Sequence, residues 1–543
     1  LIQACDDSAM GWRALGDSAW LFVATAGEAS EKFAQILRMR QQLDAVRIPQ
    51  IRDLVSSFDS LAVHFDPRDG EAVMDWLKSI EIQARLEDVE TSDRTHVIPL
   101  RYGNDLDKVA KKIGRTMDEV IRLHSSASYT VAAIGFSPGF PYLIGLPKEL
   151  HIPRLDTPRP VSAGSVAIAG DQAGIYPFNS QGGWHVIGQT SLTLFDPKND
   201  PPSLLAPGDQ VKFSAVESLP SCITISKSPS AKAHGAIEII EAGPLTSVQD
   251  LGRHGYQSMG VTPGGAMDPI AAKVANALLG NSENHALLEC AMLGPVLKFH
   301  RACRIAMLGW SDHRCGRPIE MAAGEVLDLR LPTIGTYGYL AFAGGIDVPP
   351  VLGSRSTDLR AKFGGHHGRR LQIGDHLEIG EAPCGPRRAD WHVRWPYDHA
   401  KGRTLILRFI RGMQSDWFNP SSLESFVSAE FHISNKSDRV GMRLDGPQMT
   451  RVTDAEMVSQ AVVRGSIQVP PDGTPIVLMA ECQTIGGYPQ IGHVISADLP
   501  KLARTSTSTS LRFREVTLDE ARWAWDEIDR DMKFLRTGLE LLK

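Results

Sequence analysis

Four short stretches of this sequence hold polar groups between residues that fix the backbone, and their groups are those that recognise anions and move protons. Arg159 stands between Pro158 and Pro160, whose locked φ angles make it a rigid guanidinium suited to carboxylate recognition, or equally to a surface salt bridge. His185 follows Gly183-Trp184 at the start of an expected strand, where it could be a general acid or base near neutral pH or a packed ring bonded to the backbone. In Gln249-Asp250-Leu251-Gly252-Arg253 an amide, a carboxylate and a guanidinium fall within one glycine-bounded loop, either as a site or as an Asp–Arg pair that pins the loop. Gly353-Ser354-Arg355-Ser356-Thr357 gathers donors fit for an oxyanion or phosphate, or for a solvated turn. Ser437-Asp438-Arg439 and Gln483-Thr484 ahead of Gly486-Gly487-Tyr488 are weaker versions of the same pattern.

The catalytic candidates are therefore His185, Arg159 and Asp250. The substrate-contact candidates are Phe136, Phe140, Tyr142, Trp184, Gln249, Arg253, Arg355, Gln483 and Tyr488. No metal is expected, because His366-His367 and His313 with Cys315 are not joined by a third ligand. Asp268, just before Pro269, reads first as a helix N-cap.

These residues need elements to hold them. Gly135-Phe136-Ser137-Pro138-Gly139-Phe140-Pro141-Tyr142-Leu143 cannot be a helix and reads as a tight turn that delivers its aromatics to one surface, or as a buried turn closing a barrel. A chain of 543 residues should hold two to four domains, and 42% hydrophobic with 22% charged residues describes an ordinary globular protein. The net charge of -6 lacks the basic excess that a phosphate backbone attracts, so nucleic acid is not an expected partner. Seven scattered cysteines without a CxxC pair favour a reducing compartment. No apolar run approaches the roughly 20 residues of a membrane helix, and the first residues lack a signal-peptide pattern, so the expected setting is cytoplasmic with no membrane.

In chain order, a strand at 20–24, a helix at 30–43, a strand at 60–65 and a helix at 70–79 predict a small α+β domain over 1–85. A strand at 95–101, helices from 106 and 120, and short strands at 131–134, 165–169, 174–176, 184–189, 191–195 and 210–213 predict a barrel or sandwich over 86–230. Pro207-Gly208-Asp209 reads as a hairpin corner, and the Ser- and Pro-rich 214–234 as the linker. The rest, 231–543, predicts a helix at 270–279, strands at 236–241, 296–299, 304–308, 337–342, 377–379, 404–409 and 476–480, and an amphipathic C-terminal helix that buries Trp523, Trp525 and Ile528. Recurring Gly-Asp and Gly-Glu corners hint that both halves use related barrels.

Three runs in the first half, 135–143, Pro158-Arg-Pro-Val-Ser-Ala-Gly-Ser-Val-Ala-Ile-Ala-Gly170 and Gly182-Gly-Trp-His-Val-Ile-Gly188, resemble the family called allophanate hydrolase subunit 1, the B-type component of 5-oxoprolinase. Ser247-Val-Gln-Asp-Leu-Gly-Arg253, Gly260-Val-Thr-Pro-Gly-Gly-Ala-Met-Asp268, Gly353-Ser-Arg-Ser-Thr357 and Thr484-Ile-Gly-Gly-Tyr-Pro489 resemble its companion, allophanate hydrolase subunit 2, the C-type component. The chain thus looks like a fusion of the two. The resemblance implies a mainly β protein with two cyclophilin-like β-barrel domains and a small N-terminal α+β domain.

For function, the resemblance implies a component of ATP-dependent 5-oxoprolinase, which opens 5-oxo-L-proline to L-glutamate with a separate A-type component. Its alternatives are the carboxyltransferase component of a biotin-dependent urea or amide carboxylase, and a protein-binding regulator of a histidine kinase. An Ala/Val-Met-Lys-Met biotin segment and a GxxxxGK[ST] loop are both missing, so biotin belongs to a partner in the carboxylase reading and ATP is expected with or on a partner. The expected partners are a protein like the A-type 5-oxoprolinase component, a small amide or lactam substrate and a second copy of the chain. Arg504-Thr505-Ser506-Thr507-Ser508 departs from the family's Gln and Pro-Gly turn. Finally, a fused pair predicts one cleft shared by the 135–143 turn and the 247–253 loop.

Overall fold

The computed structural model describes residues 11–80, 94–219, 235–383, 391–393, 404–453, 455 and 457–542. The domain boundary expected near residue 85, and the linker from residue 220 onward with the boundary near 230, lie outside them. The fold is mainly β and contains two closed seven-stranded barrels.

The chain first builds an antiparallel sheet from Trp12–Ala14, Ala19–Val23, Ser60–Phe65 and Ile51–Ser57, in that spatial order. Side chains alternate across a strand. Leu61, Val63 and Phe65 accordingly pack with Ile36, Met39 and Leu43 of helix Ala29–Ala45 and with Val73 and Leu77 of helix Gly70–Ser79. Ala62 packs on the opposite face with Phe140, Tyr142 and Trp184, and His64 shares that face by the same alternation. Ile51–Ser57 was not expected, since a bulge between Ile51 and Asp53 breaks the period of two by which strands are read.

The first barrel runs in the order Gln172–Ile175, Pro141–Ile144, Tyr129–Ile134, Gln210–Ala215, Thr95–Tyr102, His185–Gln189 and Ser165–Ala169. Its interior is aliphatic, with Ile98, Leu100, Val131, Leu143, Val166, Ile168 and Ile187 buried together. The 207–209 corner is a turn but not a hairpin, because the strand that follows it runs parallel to Thr95–Tyr102. Residues 191–195 form no strand. Leu194 and Phe195 lie against the 135–143 turn, where a Cβ on Gly139 would meet Phe195 at 2.8 Å, and only a single bridge from Phe195 to Ser203 forms.

Two packed sheets follow. One orders Val326–Asp328, Val296–Phe299, Ile237–Glu241 and His376–Leu377; the other orders Leu245–Gln249, Leu287–Leu293, Pro332–Phe342, Cys303–Leu308 and Pro318–Met321. Ile237, Leu297 and Phe299 from the first meet Val248, Leu288, Ile305 and Phe342 from the second in a shared core. Helix Pro269–Leu278 covers the other face of the five-stranded sheet, started by Asp268, whose carboxylate accepts from the N–H groups of Ile270 and Ala271.

The second barrel is Leu405–Arg411, Gln490–Val494, Ser466–Gln468, Ile476–Leu478, Gly441–Asp445, Phe431–Ile433 and Ser510–Glu515. In both barrels the strands that come first and last along the chain pair in parallel. Helix Leu518–Glu540, capped by Thr517 and Glu520, then reaches back to the small sheet through Arg522 to Glu71 and Arg68 to Asp529. Trp525 and Ile528 pack inward, but Trp523 is 64% exposed. Two residues along a helix are about 200° apart, so Trp523 and Trp525 cannot share a buried stripe. Among the described residues no helix is long and apolar enough to cross a membrane. Cys290, Cys303, Cys315 and Cys482 are free thiols.

Candidate functional site

A cavity of about 510 Å³ opens where the small sheet, the 250–269 segment and the second barrel meet. Hydrogen bonds across these junctions hold its walls in place. Gln257 Nε2 donates to His64 Nδ1 (3.4 Å), Ser258 N–H to Asp53 (3.1 Å), and Ser496 donates its N–H and hydroxyl to Asp17 (2.9 and 2.6 Å). Within the second half, Thr262 Oγ1 donates to the Ala480 carbonyl (3.0 Å), tying the 250–269 segment to the second barrel.

Three lining residues, His64, Arg464 and Thr484, each carry a buried polar atom without a protein partner: His64 Nε2, Arg464 Nε and Thr484 Oγ1. Native interiors leave few such atoms, and these three belong to residues of one wall. Because His64 Nδ1 accepts from Gln257, its Nε2 carries the hydrogen and is a donor. Burial lowers His64 to about 4, so the ring is neutral near pH 7. His254 stands open to the cavity, yet the surrounding protein and Arg52 also lower it to about 4. Burial pushes the Cys482 thiol up to about 12, which removes it as a nucleophile. The cations on the wall are partnered: Arg52 and Arg68 with Asp66, Lys273 with Glu283 (3.3 Å), and Arg464 with the carbonyls of Ala266 and Met267.

A second, narrow cleft of about 40 Å³ adjoins the cavity, both being lined by Cys482 and Gln483. Phe136, Ser137 and Pro138 of the 135–143 turn form one side, and Gly260, Thr262, Asp358, Arg360 and Glu481 the other. Phe136 takes φ +63°, and Gly139 N–H donates to Met259 O (2.9 Å), so the turn is fastened to the second half. Gly260 is required there: its φ is +77° and a Cβ would come within 2.5 Å of the Ser137 carbonyl. Below Glu481 lies a buried ion network in which Arg439 Nε donates to Glu481 (2.7 Å), Nη1 to Glu289 and Nη2 to the Gly265 carbonyl (2.7 Å).

Of the residues singled out from sequence, Gln483 lines both spaces and Phe136 the narrow one. Phe140, Tyr142 and Trp184 instead form an edge-to-face cluster, with ring centroids 5.0 to 6.0 Å apart, in the core between the first barrel, the small sheet and Ile485. Arg159 binds the buried Asp105, which also takes Lys108 (3.1 Å). His185 Nε2 bonds the Pro153 carbonyl (3.0 Å), and burial lowers its pKa. Asp250 accepts four hydrogen bonds, from Gly252 N–H (2.7 Å), Arg355 N–H (2.6 Å) and the hydroxyls of Ser354 (2.7 Å) and Ser356 (2.6 Å). Gln249 is buried and donates to Ser247 and Thr357.

Arg253 is buried with Nη2 on the Ser356 carbonyl and its guanidinium 4.8 Å from the Phe363 ring centre. Arg355 bonds the Val348 carbonyl (2.8 Å), and Tyr488 stands half exposed outside both spaces. The 135–143 turn and the 247–253 loop thus border adjoining spaces rather than one cleft, and neither Phe140 nor Gln249 lines either. The Arg504 departure is an anchor, its guanidinium bound to Asp268. Sequence reading missed His64, Lys273, His254 and Arg464. For His64 a signal existed, a histidine inside the otherwise apolar Leu61-Ala62-Val63-His64-Phe65.

Residues 10–205 match the family described as carboxyltransferase domain, subdomain C and D, and residues 259–515 that described as carboxyltransferase domain, subdomain A and B. The chain is 37% identical over 297 residues to the C subunit of 5-oxoprolinase from Escherichia coli (strain K12), spanning 52% of this chain and 93% of that protein. It is 43% identical over 194 residues to the B subunit of 5-oxoprolinase from Escherichia coli O157:H7, spanning 34% of this chain and 85% of that protein. The crystal structure of TTHA0988 in space group P212121 superposes with a TM-score of 0.79 at 32% identity, covering 91% of this chain and 99% of that one. With the B-type half placed ahead of the C-type half in one polypeptide, the chain belongs to the family of the B and C subunits of 5-oxoprolinase.

Proposed function

We propose that the chain is the fused B and C component of an ATP-dependent 5-oxoprolinase, and that it holds 5-oxo-L-proline in the 510 Å³ cavity while a separate A-type partner completes the enzyme. The observation that carries this reading is the set of unpartnered buried atoms on His64, Arg464 and Thr484, contributed by the small sheet and the second barrel. A lactam acid has a carboxylate and an amide to satisfy, and two N–H donors with a hydroxyl match them. The side chains of Gln257 and Gln483 add amide groups to the same wall.

The wall does not fit a triphosphate. Its four cations already hold carboxylates or carbonyls, and no GxxxxGK[ST] loop is present, so we assign ATP to the partner. A cytoplasmic setting fits the free thiols. A second reading, the carboxyltransferase component of a biotin-dependent urea or amide carboxylase, is favoured by the carboxyltransferase description of both matched families.

One experiment separates them. The purified chain is assayed alone, with the A-type 5-oxoprolinase component and 5-oxo-L-proline, and with a biotinylated carboxylase partner, bicarbonate and urea. ATP-dependent glutamate formation only in the second mixture is the expected result. Bicarbonate-dependent ATP turnover only in the third would overturn the first reading in favour of the second.

A further inference from the structure

The C-terminal helix Leu518–Glu540 buries one face and leaves the opposite one uncovered. Ala521, Ala524, Met532 and Leu539 are buried, with Trp525, Ile528 and Leu535 packed beside them. The four most exposed large hydrophobic residues among those described are Leu541 (84%), Ile373 (75%), Phe534 (69%) and Trp523 (64%), and three of them belong to this helix or its C-cap. A helix turns about 100° per residue, so Trp523, Phe534 and Leu541 fall within about 20° of one another on the outer side. Exposed apolar residues scattered singly are ordinary, whereas a row of them aligned on one helix reads as an interaction face.

The charges beside the stripe say what covers it. Arg522 is taken by Glu71 (3.0 Å), Asp529 by Arg68 (3.6 Å) and Arg536 by Glu283, each on another element. Asp526, Glu527, Arg530 and Lys533 are exposed and make no ion pair among the described residues. They lie within about 80° of Trp523 around the axis. Two acidic groups precede the midpoint between Ile528 and Asp529, and two basic ones follow it. Reversing the helix about that midpoint sets Trp523 against Phe534 of a second copy and Glu527 against Arg530, with Lys533 within a turn of Asp526 on the same flank. A parallel pair would instead set Glu527 on Glu527 and Arg530 on Arg530. Asp531 lies on the other flank, about 80° round, at the rim.

We infer that this face is the interface of a homodimer in which the two C-terminal helices pair antiparallel, through Trp523 on Phe534 and Glu527 on Arg530. Four aromatic side chains then leave water, on the order of 500 Å² of apolar surface at about 150–250 Å² for each ring fully buried. The stems of Arg530 and Lys533 add to it, and an interface at the small end of the range for specific pairs associates with micromolar order of affinity. Trp525, about 200° round the helix from Trp523, lines the 510 Å³ cavity, so the dimer face and the cavity lie on opposite sides of one helix.

Sedimentation equilibrium of the full chain from about 1 to 100 µM reads the association directly. A reversible rise from 59.3 kDa to twice that mass is the expected result. Trp523→Ser and Phe534→Ser remove side chains that stand in water, so the fold should hold in a thermal melt while each weakens dimerisation about tenfold or more. Glu527→Arg or Arg530→Glu alone should weaken it about threefold to tenfold, and the two together should restore it, as the antiparallel register requires. A chain that stays at 59.3 kDa throughout, a dimer indifferent to both serine variants, or a double swap that restores nothing overturns the inference. So does a monomer that takes up the A-type component through the same two aromatics, which would assign the face to that partner.

Discussion

Replacing Asp250 distinguishes an anchor from a catalyst. Its carboxylate accepts four hydrogen bonds, one from Gly252 N–H within its own loop and three that hold that loop to the 353–357 loop; three fall on Oδ1 and one, from Arg355 N–H, on Oδ2. In Asp250→Ala the hydroxyls of Ser354 and Ser356 can turn to other acceptors, but the N–H groups of Gly252 and Arg355 cannot. Leaving two donors unmet at about 1–3 kcal/mol each, and losing the net gain of the hydroxyl bonds, gives a cost of about 3–5 kcal/mol. Asp250→Asn keeps the three bonds to Oδ1 but turns an NH₂ group toward Arg355 N–H, costing about 1–2 kcal/mol. Urea unfolding should therefore rank wild type above Asn above Ala, and hydrogen exchange at Gly252 and Arg355 should accelerate in the same order. Wild-type stability and exchange in Asp250→Ala, together with loss of reconstituted turnover, would show that the anchor reading is wrong.

Arg159→Ala should cost about 1–2 kcal/mol and leave turnover intact, since the guanidinium is half exposed and Asp105 keeps Lys108; a thermal melt beside an activity assay checks both. Arg439→Met should destabilise by about 3–5 kcal/mol by stranding Glu289 and Glu481 without their cation, measured by denaturant unfolding. Stability should also fall on acidification. His64, His254 and the buried His124 and His493 titrate at about 4, 4, 3 and 3 when folded, below 6.5, so their contribution is complete above 6.5 and is lost as pH falls toward those values. Asp17, raised to about 6, works the other way, its contribution being lost as pH rises from 3.8 through 6. Four groups against one predict a net loss between pH 6 and 4, checked by unfolding midpoints across that range, and His124→Phe should shallow the slope by about 1.4 kcal/mol per pH unit.

Much of the fold was legible because its signals are local. Thr116 with Glu119, Asp268 with Pro269 and Thr517 with Glu520 start helices by groups three residues apart or fewer, and the sequence displays such pairs directly. The strand at 51–57 was lost to one bulge, and the pairing of the two C-terminal-half sheets depends on contacts far apart in sequence. The site was less legible for the same reason. Arg159, His185 and Asp250 stand in rigid settings, and rigidity is also what an ion pair, a packed ring and a loop anchor require. His64, Arg464 and Thr484 come from segments some 400 residues apart and signal a site only when their unpartnered atoms are seen on one wall.

The most direct test of that wall is kcat/KM for 5-oxo-L-proline in the His64→Phe chain reconstituted with its A-type partner. Phenylalanine fills the same space without the Nε2 donor. A drop of tenfold or more with the fold intact, while His185→Ala remains near wild type, is the predicted result. Unchanged kcat/KM in His64→Phe, with activity abolished in His185→Ala, would move the site to the first barrel and contradict the account.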